Sequence, residues 1–254
     1  MKRFLIIGYG VVGKAVYSGL YKKYNVEILD PPAGHELYPD YNDYDGIIMC
    51  LPTPQGPTGE CDDMLVEQYH YDIRKNASTV PILIKSTISI ELIDLLEDDR
   101  YLTTNPEFLT EADSKEEFMY QKFSIFGGRQ CLYWCTMFQH AGIKMNHIKF
   151  TDIRTAAYAK YAINTFLATK VIFFNELKSM FGEYGYDELT HLIGMDERIG
   201  TSHMMVPGPD QQYGFGGMCF PKDTSAFAIS GKGKLTLLEK VININTEIRD
   251  EIKK

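Results

Sequence analysis

The sequence lacks the segments that mark membrane-spanning and nucleic-acid-binding proteins. No apolar run approaches the roughly 18–20 residues that a transmembrane helix requires, and the first apolar run, Phe4–Ile7, is too short for a signal peptide. No long basic run offsets the formal net charge of −8. We therefore expect neither nucleic acid nor a membrane as a partner, and an anionic ligand would need locally placed amides, lysines or arginines.

Cysteine is too sparse and too unevenly spaced for a disulfide framework or a zinc site. The chain has an odd number, at Cys50, Cys61, Cys131, Cys135 and Cys219. Reduced thiols in a cytoplasmic protein are the better interpretation, and no metal is expected. Any special role for one of these thiols must then come from its local surroundings.

Short apolar runs alternate with helical spacing over the first 150 residues. Lys14–Tyr24 has helical spacing, whereas the buried strands are predicted at Phe4–Ile7, Val26–Leu29, Gly46–Leu51 and Val80–Lys85, with weaker candidates at Tyr101–Thr104 and Phe123–Phe126. Strands that alternate with helices indicate an α/β fold with a Rossmann-like, doubly wound parallel sheet.

The pattern changes near Thr151. Residues 152–181 contain no proline or glycine, and their apolar residues recur three and four positions apart, which predicts one long helix. Leu235–Ile252 predicts a last helix. The sequence thus predicts a Rossmann-like domain over residues 1–150 and an all-helical domain over residues 151–254.

A glycine motif follows the first predicted strand and opens the first helix. The pattern G-x-G-x-x-G is formed by Gly8, Tyr9, Gly10, Val11, Val12 and Gly13. An acid, Asp30, ends the second strand 17 residues after Gly13. This context predicts a dinucleotide site with the pyrophosphate at a helix N-terminus. The Asp30 carboxylate would accept hydrogen bonds from the ribose hydroxyls and would repel a 2′-phosphate, which favours NAD over NADP.

Two simpler interpretations of this region stay open. The glycines could form a turn that binds no ligand. Asp30, which precedes two prolines, could merely begin a turn.

Six further sequence motifs together resemble those of one family. They are Leu51–Pro54, Lys85–Thr87, Asn105–Glu111, Lys160–Asn164, Gly194–Gly200 and Gly214–Asp223. In content and order they resemble the UDP-glucose/GDP-mannose dehydrogenase family, from residue 1 to about residue 250. UDP-glucose is the default substrate that this resemblance implies, and GDP-mannose or a UDP-N-acetyl-hexosamine stays open.

The resemblance implies oxidation of a nucleotide-sugar alcohol to a carboxylate by two hydride transfers to NAD. A thiol would trap the intermediate aldehyde as a thiohemiacetal, and water would hydrolyse the resulting thioester. Cys219 matches the family's nucleophile. Lys160 and Asn164, four residues apart on the long helix, would stabilise oxyanions. Asp223, Thr87 and Glu111 would position or activate water.

The resemblance also implies binding residues. Cofactor contacts beyond the glycine motif and Asp30 fall on Pro52, Thr53, Thr87 and Glu111. Arg198 matches an arginine that in relatives reaches the substrate phosphates from the adjacent subunit, so a homodimer is expected. Substrate contacts fall on Glu107, Phe108, Leu109, Lys160, Asn164, Arg198, Phe215, Gly216 and Gly217.

The sequence departs from the family in three places. The chain ends at Lys254, so we expect the usual third domain, which closes over the substrate nucleotide, to be absent. Only 15 residues, 31–45, join the second and third strands, and the adenosine side of the site should be more open. Ala112 to Ser114 stand where relatives commonly have a glycine.

Other functions and simpler residue roles remain possible at this stage. A β-hydroxyacid dehydrogenase shares the two-domain plan but needs no thiol, so the cysteine block argues against it. A non-catalytic or partner-dependent nucleotide-binding homologue is the third hypothesis. For single residues, Cys219 could be inert, Arg198 could form a surface salt bridge, and Lys222 could serve the substrate or be solvated.

Overall fold

The protein is described by a computed structural model that covers residues 1–108 and 113–251. It divides into two compact units, and each is described by itself. Unit 1 contains residues 1–56 and 61–160, and unit 2 contains residues 57–60 and 161–254. The functional domain limits of 1–150 and 151–254 stay a prediction, because compactness alone does not define a functional domain.

Unit 1 is built on one seven-stranded sheet with the order β2-β1-β3-β4-β5-β6-β7. Its strands are β1 (Arg3–Ile7), β2 (Asn25–Leu29), β3 (Gly46–Met49), β4 (Ile82–Ile84), β5 (Leu102–Thr104), β6 (Tyr120–Gly128) and β7 (Lys144–Thr151). Every pairing is parallel except β5 with β6. The predicted α/β fold is confirmed, while the antiparallel pairing and β7 were not predicted.

The composition of the strands explains which of them the sequence revealed. All residues of β3 and β4 are buried, so each reads as a continuous apolar run, as is typical of parallel strands covered on both faces. By contrast, β7 is partly exposed and carries Lys144, Asn146, His147 and Lys149. It therefore has no apolar run to detect and is held in place by its pairing with β6.

The helices of unit 1 pack apolar faces against this sheet. They are α1 (Val11–Leu20), α2 (Met64–Asn76), α3 (Ile90–Leu96), α4 (Ser114–Met119), α5 (Cys131–His140) and the start of α6 (Ile153–Phe181). A core cluster joins α1, α4 and α5 to the strands through the fully buried side chains of Phe4, Phe118, Phe126, Trp134 and Phe138. Burial of large aromatic side chains is a main source of stability.

Within the described residues, unit 2 is all-helical. It contains the rest of α6, α7 (Tyr186–Gly194), α8 (Phe220–Ser230) and α9 (Thr236–Glu251). The single long helix predicted from residue 152 is confirmed by α6. One small core joins Ala168 and Ile172 of α6 to Phe215 and to Val241 of α9.

Two absences hold for the described part of the chain. None of its helices is both long and apolar enough to cross a membrane. Residues 1–108 and 113–251 also contain no cluster of His, Cys, Asp or Glu suited to a metal ion.

A buried carboxylate ties α2 to the turn before β5. Asp99 lies 2.7 Å from Nε2 of His70 and accepts from Nε of Arg74 at 2.5 Å. Burial raises the pKa of Asp99, but the hydrogen bonds from His70 and Arg74 outweigh it and hold the pKa at about 2. The carboxylate form therefore stabilises the fold above the ordinary pKa of an aspartate, and this stability is lost as the pH falls through about 2.

We expect Asp99→Asn to lower the free energy of unfolding at pH 7 by about 2–3 kcal/mol, since each pKa unit corresponds to about 1.4 kcal/mol. At pH 3 the difference from the wild type should be roughly half as large. Urea unfolding at both pH values measures it, with Asp98→Asn, an exposed neighbour, as the control. A difference that does not change with pH would contradict this account of Asp99.

Candidate active site

The glycine loop after β1 is shaped by backbone contacts that exclude a side chain. Gly8 has φ +95°, and a Cβ there would lie 2.4 Å from the carbonyl oxygen of Cys50. A Cβ on Gly13 would lie 2.1 Å from the carbonyl oxygen of Gly8. Gly10 differs, because nothing lies within 4 Å of its Cβ position. The open space at Gly10 is where a dinucleotide pyrophosphate could approach the backbone.

The loop also lies where a parallel sheet usually binds its ligand. β1 pairs with β2 on one side and β3 on the other, so the chain changes direction across the sheet at the ends of β1 and β3. Gly10 caps α1, whose first residues are Val11 and Val12. Free N–H groups at a helix N-terminus and at such a switch point favour a phosphate group.

Asp30 is held beside the glycine loop. Its carboxylate accepts from the N–H of Tyr9 at 2.5 Å and from the N–H of Ala33 at 3.2 Å. The second bond caps the short turn Pro31–Ala33, as the simpler interpretation of Asp30 expected. The first bond places the acid next to the glycine loop, and its predicted role toward the ribose hydroxyls stays a prediction.

The short connection between β2 and β3 borders a cavity of about 700 Å³. Apart from the turns at Pro31–Ala33 and Tyr41–Asp43, the segment forms no regular element. The lining comes from this segment and from α2, and includes Leu37, Tyr38, Tyr41, Tyr69, Asp72 and Asn76. Because Leu29 and Pro31, the neighbours of Asp30, also line it, this space lies on the side where an adenosine would be expected.

Residues that follow β3 and β4 are joined to each other. Thr53 donates from Oγ1 to the carbonyl oxygen of Thr87 at 2.8 Å, and Ser86 donates to that of Leu51 at 2.7 Å. Pro52 lies exposed between them. The structure thus brings together Thr53 and Thr87, which were predicted as cofactor residues after these two strands. The predicted residues Leu109 and Glu111 lie outside the described residues.

A cluster of charges lies at the far end of β5. Lys160 donates from Nζ to the carbonyl oxygen of Glu107 and lies 4.8 Å from the centre of the Phe108 ring. The carboxylate of Glu107 lies 2.7 Å from Nζ of Lys85, whose side chain is 1% exposed. No role was predicted for Lys85, although a lysine at the end of an apolar strand indicates a buried charge that needs a partner.

Unit 2 carries the predicted thiol. Cys219 is exposed and is the N-cap residue of α8. Asp223, in the first turn of α8, is 1% exposed and accepts from Nδ2 of Asn164 at 2.6 Å. Nζ of Lys222 lies 2.7 Å from the other carboxylate oxygen, so this lysine is not a solvated loop residue. Asp223 thus contacts Asn164 and lies one helical turn after Cys219.

The loop before Cys219 is held by two amide side chains that the sequence analysis missed. Asn175 accepts from the N–H of Gly214 at 2.8 Å. Asn245 accepts from the N–H of Phe215 at 2.7 Å and donates to its carbonyl oxygen at 3.1 Å. The Phe215 ring is buried in the core of unit 2, whereas Gly217 is exposed with φ +77° and nothing within 4 Å of its Cβ position.

Arg198 is exposed, whereas Asn164 and Asp223 are buried. Its side chain is 89% exposed and forms a two-bond ion pair with Asp196 two positions before it. The role in an adjacent subunit's site thus stays a prediction.

Two glycines of the motif should respond differently to a single methyl group. We expect Gly10→Ala to leave the melting temperature nearly unchanged but to weaken NAD binding, because only a ligand needs the space there. Gly13→Ala should instead lower the free energy of unfolding by about 1–3 kcal/mol or more, the usual cost of overpacking. Thermal unfolding and calorimetric NAD titration separate the two effects. Equal NAD affinity in Gly10→Ala and the wild type would argue against a pyrophosphate at this loop.

Comparisons with known proteins agree with this arrangement. Residues 154–247 match the model of the central domain of the UDP-glucose/GDP-mannose dehydrogenase family. The UDP-glucose 6-dehydrogenase of Rickettsia bellii is 31% identical over 227 residues, which cover 80% of this chain and 49% of that protein. The chain thus spans about half the length of the curated relatives it matches.

Solved structures support the same fold. A UDP-glucose dehydrogenase from Pyrobaculum islandicum superposes with a TM-score of 0.79 at 22% identity, covering 97% of this chain and 68% of that one. A 3-hydroxyisobutyrate dehydrogenase from Mycobacterium tuberculosis gives 0.71 at 18% identity, covering 97% and 93%. At these identities the likeness shows the fold alone. Residues 154–247 therefore match the central domain of the UDP-glucose/GDP-mannose dehydrogenase family, and most of the chain is similar to members of that family.

Proposed function

We propose that this protein oxidises the C6 alcohol of a nucleotide sugar to a carboxylate with NAD, and that UDP-glucose, giving UDP-glucuronate, is the substrate. The observation that carries the proposal is the exposed Cys219 at the N-terminus of α8, one helical turn before a buried Asp223 that is hydrogen-bonded to Asn164. The names of the relatives, which are UDP-glucose 6-dehydrogenases, support the same chemistry. A cytoplasmic location is part of this proposal.

The cofactor residues support NAD. Gly10 leaves open space beside the N-terminus of α1, and Asp30 lies against the loop through Tyr9. A carboxylate at this position accepts from ribose hydroxyls and repels the 2′-phosphate of NADP. NAD would supply the hydride acceptor for both oxidation steps.

The thiol explains how one site performs two oxidations. The alcohol loses a hydride and its hydroxyl proton to become an aldehyde, to which Sγ of Cys219 adds to form a thiohemiacetal. Loss of a second hydride and the hydroxyl proton gives a thioester. Water then adds to the thioester carbonyl, and the intermediate expels the Cys219 thiolate and releases the carboxylate. In total one alcohol, one water and two NAD+ would yield one carboxylate, two NADH and three protons.

The neighbouring residues have matching roles. Asp223, held by Asn164 and Lys222, would position or activate the hydrolytic water. The Lys160 ammonium would stabilise the oxyanions of both stages, and Asn164 would assist through its amide. Thr87 and Glu111 stay predictions as water-positioning residues.

A second candidate function is a one-step oxidation of the β-hydroxyacid dehydrogenase type. That class shares the two-domain plan and a Lys-x-x-x-Asn pair on the long helix, which Lys160 and Asn164 match here. Such a reaction needs one hydride transfer and no thiol, so it would leave the exposed Cys219 unexplained. A homologue that binds nucleotides without turnover is the third possibility to test.

We expect the wild type to form two NADH per UDP-glucose, and Cys219→Ser to reduce the rate by at least about 10²-fold, because the serine hydroxyl is a poor trap for the aldehyde. The measurement is NADH absorbance over a panel of UDP- and GDP-sugars and short hydroxyacids. Cys135→Ala, a buried cysteine in the core of unit 1, is the matched control and should keep the wild-type rate.

Other outcomes would select other functions. One NADH per substrate, with no effect of Cys219→Ser, would indicate the β-hydroxyacid type. NAD binding without NADH formation on any substrate would indicate a non-catalytic or partner-dependent protein.

We also propose that the protein is a homodimer. Three large apolar residues form an exposed stripe along one face of α6. They are Phe166, Phe173 and Met180, which are spaced by seven residues and are 69%, 57% and 81% exposed. Large apolar side chains on one helix face are typical of a surface that is covered in an assembly.

If the protein is a homodimer, we expect Phe173→Glu to reduce the mass measured by sedimentation from that of two chains to that of one. The reason is that burying an unpaired carboxylate in the interface is costly. Tyr184→Glu, at an almost fully exposed position beyond the stripe, should remain dimeric. A wild type that sediments as a single chain at all concentrations would refute the homodimer.

A further inference from the structure

Lys85 is a buried charge that the proposed mechanism does not use. It follows β4, and its side chain is 1% exposed. An ammonium loses its hydration when it is buried, so a lysine is rarely buried without partners that replace the water. The groups around the Lys85 ammonium therefore indicate its role.

Unit 1 surrounds the Lys85 ammonium with acceptors. Nζ lies 2.7 Å from Oε2 of Glu107 and donates to Oδ1 of Asn105 at 2.7 Å. The rings of Phe118 and Phe138 lie 5.5 and 6.0 Å from Nζ. Asn105 is itself fixed, because its amide donates to Oγ of Ser124 and to the carbonyl oxygen of Ile125. The ammonium is thus anchored to the sheet on one side and to Glu107 on the other.

Glu107 connects Lys85 to Lys160. One carboxylate oxygen meets Lys85, and the other accepts from the N–H of Phe108 at 2.9 Å. The carbonyl oxygen of Glu107 accepts from Nζ of Lys160, and the Phe108 ring lies beneath that ammonium. These two contacts of Lys160 therefore come from the segment that the Glu107 carboxylate holds in place.

We propose that Lys85 is a positioning residue for Lys160. It holds the Glu107 carboxylate against the core, so that the Glu107 carbonyl and the Phe108 ring fix the direction of the Lys160 ammonium. Glu107 then acts as an anchored anion of the fold and not as a freely moving base. This inference rests on the proposed function, in which Lys160 stabilises the oxyanions.

The energetics of buried ion pairs distinguish positioning from plain stabilisation. Removing one partner leaves a buried charge unpaired, whereas replacing both with neutral side chains of similar size is often nearly neutral for stability. Lys85→Met with Glu107→Gln removes both charges. If the pair only stabilises the fold, the double variant should regain both the stability and the kcat of the wild type. If the pair positions Lys160, the double variant should regain the stability but not the kcat.

The test compares Lys85→Met, Glu107→Gln, the double variant and Lys75→Met, an exposed lysine of α2, as the control. We expect kcat to fall about 10²-fold in Lys85→Met, the usual cost of a misplaced catalytic group, with the KM for NAD unchanged. The double variant should melt like the wild type yet keep the low kcat. Lys75→Met should match the wild type in every measurement.

A second readout does not depend on turnover. The rate at which an amine-modifying reagent labels Lys160, followed by mass spectrometry, should rise severalfold in Lys85→Met and in the double variant. If the double variant regains both wild-type kcat and wild-type labelling, the pair is purely structural and the proposal is wrong. If the wild type forms no NADH, the proposed function fails, and the labelling rates still decide the role of Lys85.

Discussion

The approach of backbone to backbone at the ends of β1 and β3 is the constraint on which the first unit depends. Gly8 meets the carbonyl of Cys50, and Gly13 meets that of Gly8, at distances that leave no room for a Cβ. These contacts fix the start of α1 and the direction of its free N–H groups. Within the motif, Gly10 has no such packing reason, and the proposed pyrophosphate would account for it.

Most of the fold could be predicted because its signals are local. The buried strands read as apolar runs, and α6 shows unbroken helical spacing over its whole length. The antiparallel pairing of β5 with β6 and the existence of β7 are long-range features. A strand that carries lysines, an asparagine and a histidine on an exposed edge has no periodicity of its own, so only its neighbour reveals it.

The candidate site was predictable where its residues occur in recognisable blocks, and unpredictable where their partners are distant in the chain. The meeting of Asn164 with Asp223 follows from two such blocks. The pairing of Lys85 with Glu107 does not, because spacing in sequence cannot reveal which buried charges neutralise each other. The energy of such a pair depends on geometry and burial, which only the folded structure supplies.

The support of the thiol loop has a consequence for how the sequence can vary. Asn245 bonds the backbone N–H and carbonyl of Phe215 and makes no hydrogen bond that depends on the Phe215 side chain. Position 215 is therefore free to exchange one apolar side chain for another of similar volume. Asn245 is not free in this way, because an apolar replacement would strand two buried backbone groups. Among homologues we therefore expect an amide side chain to be kept at position 245.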